Sequence, residues 1–240
     1  MSLTLALMFC ERELPWLKLH LPVYVEAFRE HPEDLFLNAY AASDETDGET
    51  ARYLASLGFH VLTIPFHDDW SQFWNAFLDC LRPCGVTKVL RLDADELIFP
   101  RLVPVFDSLL DRASLINIKR YNFWYDRKQY NVNAFPDFQM RCYRLTEKIR
   151  YISQRHEGIT GYVGETCWLE DGYIYHYGDI GQQNIRDRAL RYINYDQVDK
   201  GLPLMDAIPA DRQPGAATAP FEGEQPLDPD VVGLTAPFKE

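Results

Sequence analysis

The chain is short of positive charge. Its 240 residues hold 24 Lys and Arg against 36 Asp and Glu, a formal net charge of −12. Such an excess repels nucleic acid and anionic membrane surfaces and argues against either as a general partner. An anionic ligand would have to be held locally, by a metal ion or a few arginines. Long apolar runs are also missing, since no stretch reaches the ~20 residues that span a bilayer. The opening MSLTLALMFC lacks the basic n-region and small-residue cleavage site of a secretory leader. Cysteine is sparse and unpatterned: Cys10, Cys80, Cys84, Cys142 and Cys167 are odd in number. Cys80 and Cys84 lie four apart, with no second pair or nearby histidine to complete a zinc site. Reduced, packed thiols and a cytoplasmic location are the expectation. No internal repeat is present, and no glycine-rich phosphate loop follows the first apolar run.

What is present is core material. The chain is 47% apolar and 14% aromatic, enough for one large domain or two small ones. The first hundred residues alternate. LTLALMF (3–9) reads as a buried strand, and LPWLKLHLPVYVEAFRE as a helix that Pro22 kinks or splits. LFLNAYA (35–41) is a second strand, SDETDGET a polar turn and helix start, and ARYLASLG a helix stopped by Gly58. FHVLTIPF is a third strand, 71–81 a helix, and VTKVLRL (86–92) a fourth strand. Alternation at this spacing predicts βαβ units and a parallel sheet, with ligands beyond the carboxyl ends of the strands. Three polar turns, CERE, AASDETDGE and the acidic run after strand four, are therefore expected at one edge. Trp70, Phe73, Trp74 and Phe77 recur at helical spacing and read as core.

The second half is rich in Tyr, Phe, Ile and Val between turn residues and reads as several short strands. NIRDRALRYINYDQVDK (184–200) reads as a helix. From Gly201 onward Pro and Gly are frequent and periodicity fades, as in a surface wrap or partly disordered extension. The expected division is one domain over 1–200 and a tail over 201–240.

RLDADELIF (91–99) carries the clearest chemistry. Asp93, Asp95 and Glu96 crowd three carboxylates into four positions. Residues two apart on an extended segment share a side, so Asp93 and Asp95 can grip a hard divalent cation, Mg²⁺ or Mn²⁺, through oxygen. That cation would hold a nucleotide's phosphates and neutralise a leaving group. The plainer alternative is a solvated loop that caps the next helix. Arg141, Arg144 and Arg155 are candidate counter-charges for a diphosphate, or partners of surface acids. FWYDRKQY (123–130) is either core or the lining of an acceptor groove.

These motifs in this order resemble the family 2 glycosyltransferases. CERELPWL, SDETDGET and RLDADELI resemble three successive strand-end signposts of that family, the last being its D-x-D. FPDFQMRCYRL, RYISQRHEGI, YIYHYGD and IRDRALRYINYD follow in the family's order, so the resemblance covers roughly 3–200. It implies a GT-A (Rossmann-like) mixed α/β sheet flanked by helices, with a β-rich second half and a C-terminal helix. It implies transfer of a sugar from a nucleotide-diphospho-sugar to an acceptor hydroxyl, with inversion, assisted by Mn²⁺ or Mg²⁺. By position, Asp93 and Asp95 would bind the donor through the metal, Asp95 more directly, and His176 matches a late metal-ligating histidine. Glu157 matches the catalytic base, with His156 beside it as a substrate contact or support. Glu11 and the turn from Ser43 to Asp47 would lie under the base and ribose. The sequence departs there: Ser43 stands where the family has an aspartate, with Asp44 the alternative, and Glu49 is inserted between Gly48 and Thr50. The implied partners are the donor and a glycan, lipid-linked or other hydroxyl acceptor, with peripheral membrane contact allowed. Bacterial surface polysaccharide biosynthesis would be a natural setting. The competing readings are a non-catalytic sugar- or protein-binding module of the same fold and, less well matched, a nucleotidyltransferase.

Overall fold

The computed structural model describes residues 3–30, 38–123, 128–153, 158–178, 218–224 and 226. β1 (Leu3–Met8) is apolar throughout and buried over five of its six residues, as a strand covered on both faces must be. It pairs in parallel with β2 (Asn38–Ser43) and with β4 (Lys88–Asp93), Met8 lying opposite both Ala42 and Asp93. β3 (His60–Thr63) extends the parallel set beside β2. Because the crossovers return each strand in the same direction, the carboxyl ends of β1, β2 and β4 share one edge.

The remaining strands are β5 (Glu96–Leu97), β6 (Leu115–Asn122), β7 (Gln129–Asn131), β8 (Asp137–Arg144), β9 (Arg150–Ile152), β10 (Gly158–Thr160), β11 (Thr166–His176) and β12 (Thr218–Pro220). One mixed sheet has the order β3-β2-β1-β4-β8-β6-β11-β5. β8 enters it antiparallel to β4, with Leu90 opposite Cys142.

The helices are α1 (Leu14–Glu30), α2 (Glu49–Ser56), α3 (Trp70–Leu81) and α4 (Val103–Leu109). Asp69 caps α3 by accepting the Gln72 amide at 3.1 Å. Phe73, Trp74, Phe77, Leu78 and Leu81 of α3 are buried in one cluster with Val89, Tyr143 and Tyr151, and Trp70 packs against its margin. The core reading of this helix is thereby met. α1 runs through Pro22 without splitting. The missing N–H costs a hydrogen bond, and the buried face of Trp16, Leu17, Leu21 and Tyr24 offsets it.

The chain divides into two compact units, residues 1–118 with 138–172, and residues 119–137 with 173–240. In the second unit, β12 pairs with β7, Ala219 opposite Tyr130. Phe221 packs on Tyr121 and Phe123 at centroid separations of 4.9 and 5.3 Å. Part of the expected tail is thus a strand with an aromatic anchor. The helix expected over 184–200 lies outside the described residues.

Candidate functional site

The acidic run forms a tight turn on the carboxyl edge of the first unit, between β4 and β5. Its charges are organised rather than left to repel one another. Arg141 of β8, only 5% exposed, donates to Asp93 Oδ2 at 2.6 Å and to Glu96 Oε1 at 2.8 Å. Glu96 in turn accepts the Asp93 amide at 3.2 Å. Arg91 reaches Asp93 Oδ1 at 3.5 Å, and its guanidinium lies 4.1 Å from the Trp74 ring centroid. The Asp93 carboxylate, expected as half of a cation-holding pair, is in ion pairs with two guanidiniums, and Arg141, expected to face a diphosphate, binds acids inside the turn.

The turn after β1 lies beside this one. Its 3₁₀ segment, Glu11–Glu13, closes with the Cys10 amide donating to Glu13 Oε2 at 2.7 Å. Burial, then the negative charge of Asp95, push the Glu13 carboxyl up to about 7. The sequence reading did not single out Glu13. Its only signal was its place in CERE at a strand end. The Cys10 thiol is pushed up to about 12 by burial and by Glu13, which suits a packed thiol rather than a nucleophile.

Glu11 serves the fold. Its carboxylate accepts from the Thr50 amide at 3.2 Å and the Thr50 hydroxyl at 3.3 Å, satisfying the first turn of α2. Gly48 is what makes room for it. A Cβ there would lie 1.9 Å from Glu11 Oε1, although its φ of −77° is open to any residue. Gly48→Ala is expected to displace the carboxylate and lose the cap, costing about 1–2 kcal/mol in urea unfolding. Glu11→Ala/Gly48→Ala should be no less stable than Glu11→Ala alone. Ser43 is buried, and its hydroxyl accepts the Glu45 amide at 3.1 Å, so it shapes its own turn. Asp44 is exposed beside it.

Arg144 sits elsewhere. It is opposite Lys88, at the amino end of β4, about 16 Å along the strand from the acid turn. There its Nε donates to the Leu110 carbonyl at the end of α4, while Lys88 binds Asp107 and Asp111. Both serve the carboxyl end of that helix, and Arg144 cannot serve a ligand on the acidic edge. Arg155, His156 and Glu157 lie outside the described residues.

His176 belongs to the second unit and is buried at the end of β11. Its Nδ1 lies 2.8 Å from Asn122 Oδ1. The Asn122 amide nitrogen donates to Asp137 Oδ2 at 3.1 Å, and Arg120 pairs with the same carboxylate at 2.7 Å. A carboxylate only accepts, so Asn122 must turn its NH₂ to Asp137 and its oxygen to His176. The histidine therefore carries its proton on Nδ1. Phe123, named for an acceptor groove, is buried and stacks on Tyr177 instead.

Among the described residues, no three His, Cys, Asp or Glu side chains form a ready metal centre. The negative charge of Asp95 acts on Glu13 across the edge, a repulsion that a divalent ion would relieve. Among the described residues no helix is long and apolar enough to cross a membrane.

No protein-family model matches the sequence, and no curated protein matches it. Solved structures do. Staphylococcus aureus TarS 1-349 in complex with UDP-GlcNAc is similar at 13% identity, over 81% of this chain and 67% of that one, with a TM-score of 0.50. The same TarS fragment without that ligand gives 14%, 81%, 66% and 0.49, so the chain spans about two thirds of its length. Glucosyl-3-phosphoglycerate synthase from Mycobacterium tuberculosis, in complex with Mn²⁺ and UDP, gives 12% identity over 51% of this chain and 44% of that one, with a TM-score of 0.34. The mixed sheet, its strand order and the TarS likeness together establish that the chain has the GT-A fold.

Proposed function

We propose that the protein is a metal-assisted glycosyltransferase that moves a sugar from a nucleotide-diphospho-sugar to an acceptor hydroxyl. One observation carries the reading most. The acid turn, in which Arg141 binds the carboxylates on either side of Asp95, sits on the sheet edge where α/β folds bind ligands, and the negative charge of Asp95 acts on Glu13 of the neighbouring turn. Asp95 would hold Mn²⁺ or Mg²⁺, and the ion would screen the charge gathering on the diphosphate leaving group. His176, the other metal ligand implied by the family resemblance, is buried in the second unit with Nδ1 2.8 Å from Asn122 Oδ1. Glu157 would take the acceptor proton as the acceptor oxygen bonds to the anomeric carbon and the bond to diphosphate breaks, inverting that centre. UDP is the first nucleotide to try, since a TarS structure of the same fold contains UDP-GlcNAc.

The test is thermal unfolding with UDP, GDP, CDP, dTDP and CMP, each with and without Mn²⁺. One diphosphate should raise Tm by about 5–10 °C at a hundredfold excess over its Kd, only with metal. Asp95→Asn should abolish the shift. A shift that survives Asp95→Asn would end the metal assignment. The occupied hydroxyl of Ser43 favours a second reading, a binding module without turnover. Nucleotide binding with neither transfer nor donor hydrolysis would select it.

A further inference from the structure

Residues 218–221 are seated in a groove of the second unit. Thr218 and Pro220 lie opposite Asn131 and Gln129 of β7, and the Thr218 hydroxyl donates to Gln129 Oε1 at 2.8 Å. The Phe221 amide donates to the Lys128 carbonyl at 2.8 Å. The Phe221 ring then stands nearly perpendicular to four others, Tyr121, Phe123, Tyr175 and Tyr130. The interplanar angles are 75°, 78°, 89° and 88°, and the centroid separations 4.9, 5.3, 6.1 and 6.5 Å. Edge-to-face is a preferred aromatic geometry, so these rings form a box shaped for one aromatic side chain. Pro220 is tolerated because an edge strand can spare an N–H. This is strand addition, in which main-chain pairing supplies affinity and a side-chain pocket supplies selectivity.

The seated sequence recurs. Thr218-Ala219-Pro220-Phe221 is repeated without change as Thr235-Ala236-Pro237-Phe238. A tetrapeptide is too short to be a structural repeat, and its meaning comes from its bounds: the four residues repeated are the four that carry the pairing and the boxed ring. We propose that residues 235–238 are a second ligand for this groove and exchange with 218–221 of the same chain. The inference is independent of the transferase reading and involves neither the acid turn nor a metal. The same chain is the source because a tethered segment meets its site at an effective concentration on the order of millimolar, above that of a second molecule in dilute solution. Both copies offer the groove the same hydroxyl, methyl, proline and ring, so the groove holds the chain in either of two registers.

Hydrogen exchange over residues 128–131 in the full chain reads occupancy of the groove. Phe221→Ala should quicken exchange by no more than about threefold, because 235–238 takes the vacated site. Phe238→Ala should change it as little. Phe221→Ala/Phe238→Ala should quicken it by about a hundredfold, since neither copy then has a ring to bury. A Phe221→Ala chain that exchanges as fast as the double variant would overturn the proposal. So would protection in Phe221→Ala that is lost on about hundredfold dilution, because the second ligand would then come from another molecule. A fluorine label tests the same exchange without a destabilised variant. With 4-fluorophenylalanine at position 238 of the otherwise wild-type chain, part of the signal should coincide with the ring-shifted line given by the same label at position 221. That part should grow when Phe221→Leu is added. A line from 238 that stays at the solvent position in both backgrounds would overturn the proposal.

Discussion

Arg141→Met is expected to lower the unfolding free energy by about 3–5 kcal/mol, among the largest losses available to one substitution in this chain. The guanidinium is 5% exposed and sits between Asp93 and Glu96, and Glu96 is 2% exposed. Methionine fills much of the volume, so the cavity penalty is small. The cost comes from taking the Arg141 counter-charge from the desolvated Glu96 carboxylate and leaving Asp93 with Arg91 at 3.5 Å alone. Two corollaries distinguish this from a packing defect. Arg141→Met/Glu96→Gln should recover part of the loss, since one stranded charge is gone. The deficit should also narrow in acid, where the stranded carboxylates can protonate. Urea unfolding at neutral and acidic pH measures both. A deficit of equal size at both pH values would show that charge is not its source. Because Arg141 holds the acid turn, the variant should also lose the Mn²⁺ binding proposed for Asp95 while still folded.

This arrangement marks how far the sequence could be read. The alternation of apolar runs and amphipathic helices located β1, β2, β3 and β4, and in β1 and β4 burial on both faces leaves a near-continuous apolar signature. Convergence of the three polar turns followed from parallel pairing and is seen in Met8 lying level with Ala42 and Asp93. Partners were not legible. Asp93 and Arg141 are 48 residues apart, and no local pattern says that β8 inserts beside β4 in the opposite sense. Once it does, Arg141 falls near the acidic edge and Arg144, three residues on, at the far one. The sequence offered the two arginines as equals. Glu11 and Glu13 show the same limit. Similar residues in one turn are separated by what surrounds them, a helix end for the first and Asp95 for the second. The strand at Thr218–Pro220 was hidden by its proline and by its distance in sequence from β7.

Glu13 supplies the second large effect, a dependence of stability on pH. Burial first and the charge of Asp95 second push its carboxyl up from an ordinary 4.5 to about 7. A carboxyl raised in this way binds more protons folded than unfolded between those values. Its contribution is therefore fully present below about pH 4.5 and is lost as pH rises through 7. At 1.36 kcal/mol per unit, the loss is on the order of 3 kcal/mol by pH 8. Glu13→Gln keeps an oxygen for the Cys10 amide and has no proton to lose. The variant's advantage over wild type should therefore grow by about that amount from pH 4.5 to pH 8, measured as paired urea midpoints. In an Asp95→Asn background the growth should shrink, because one of the two causes is gone. A difference that is flat with pH would mean Glu13 ionises normally and does not feel Asp95, and it would remove the electrostatic reason for a cation between them.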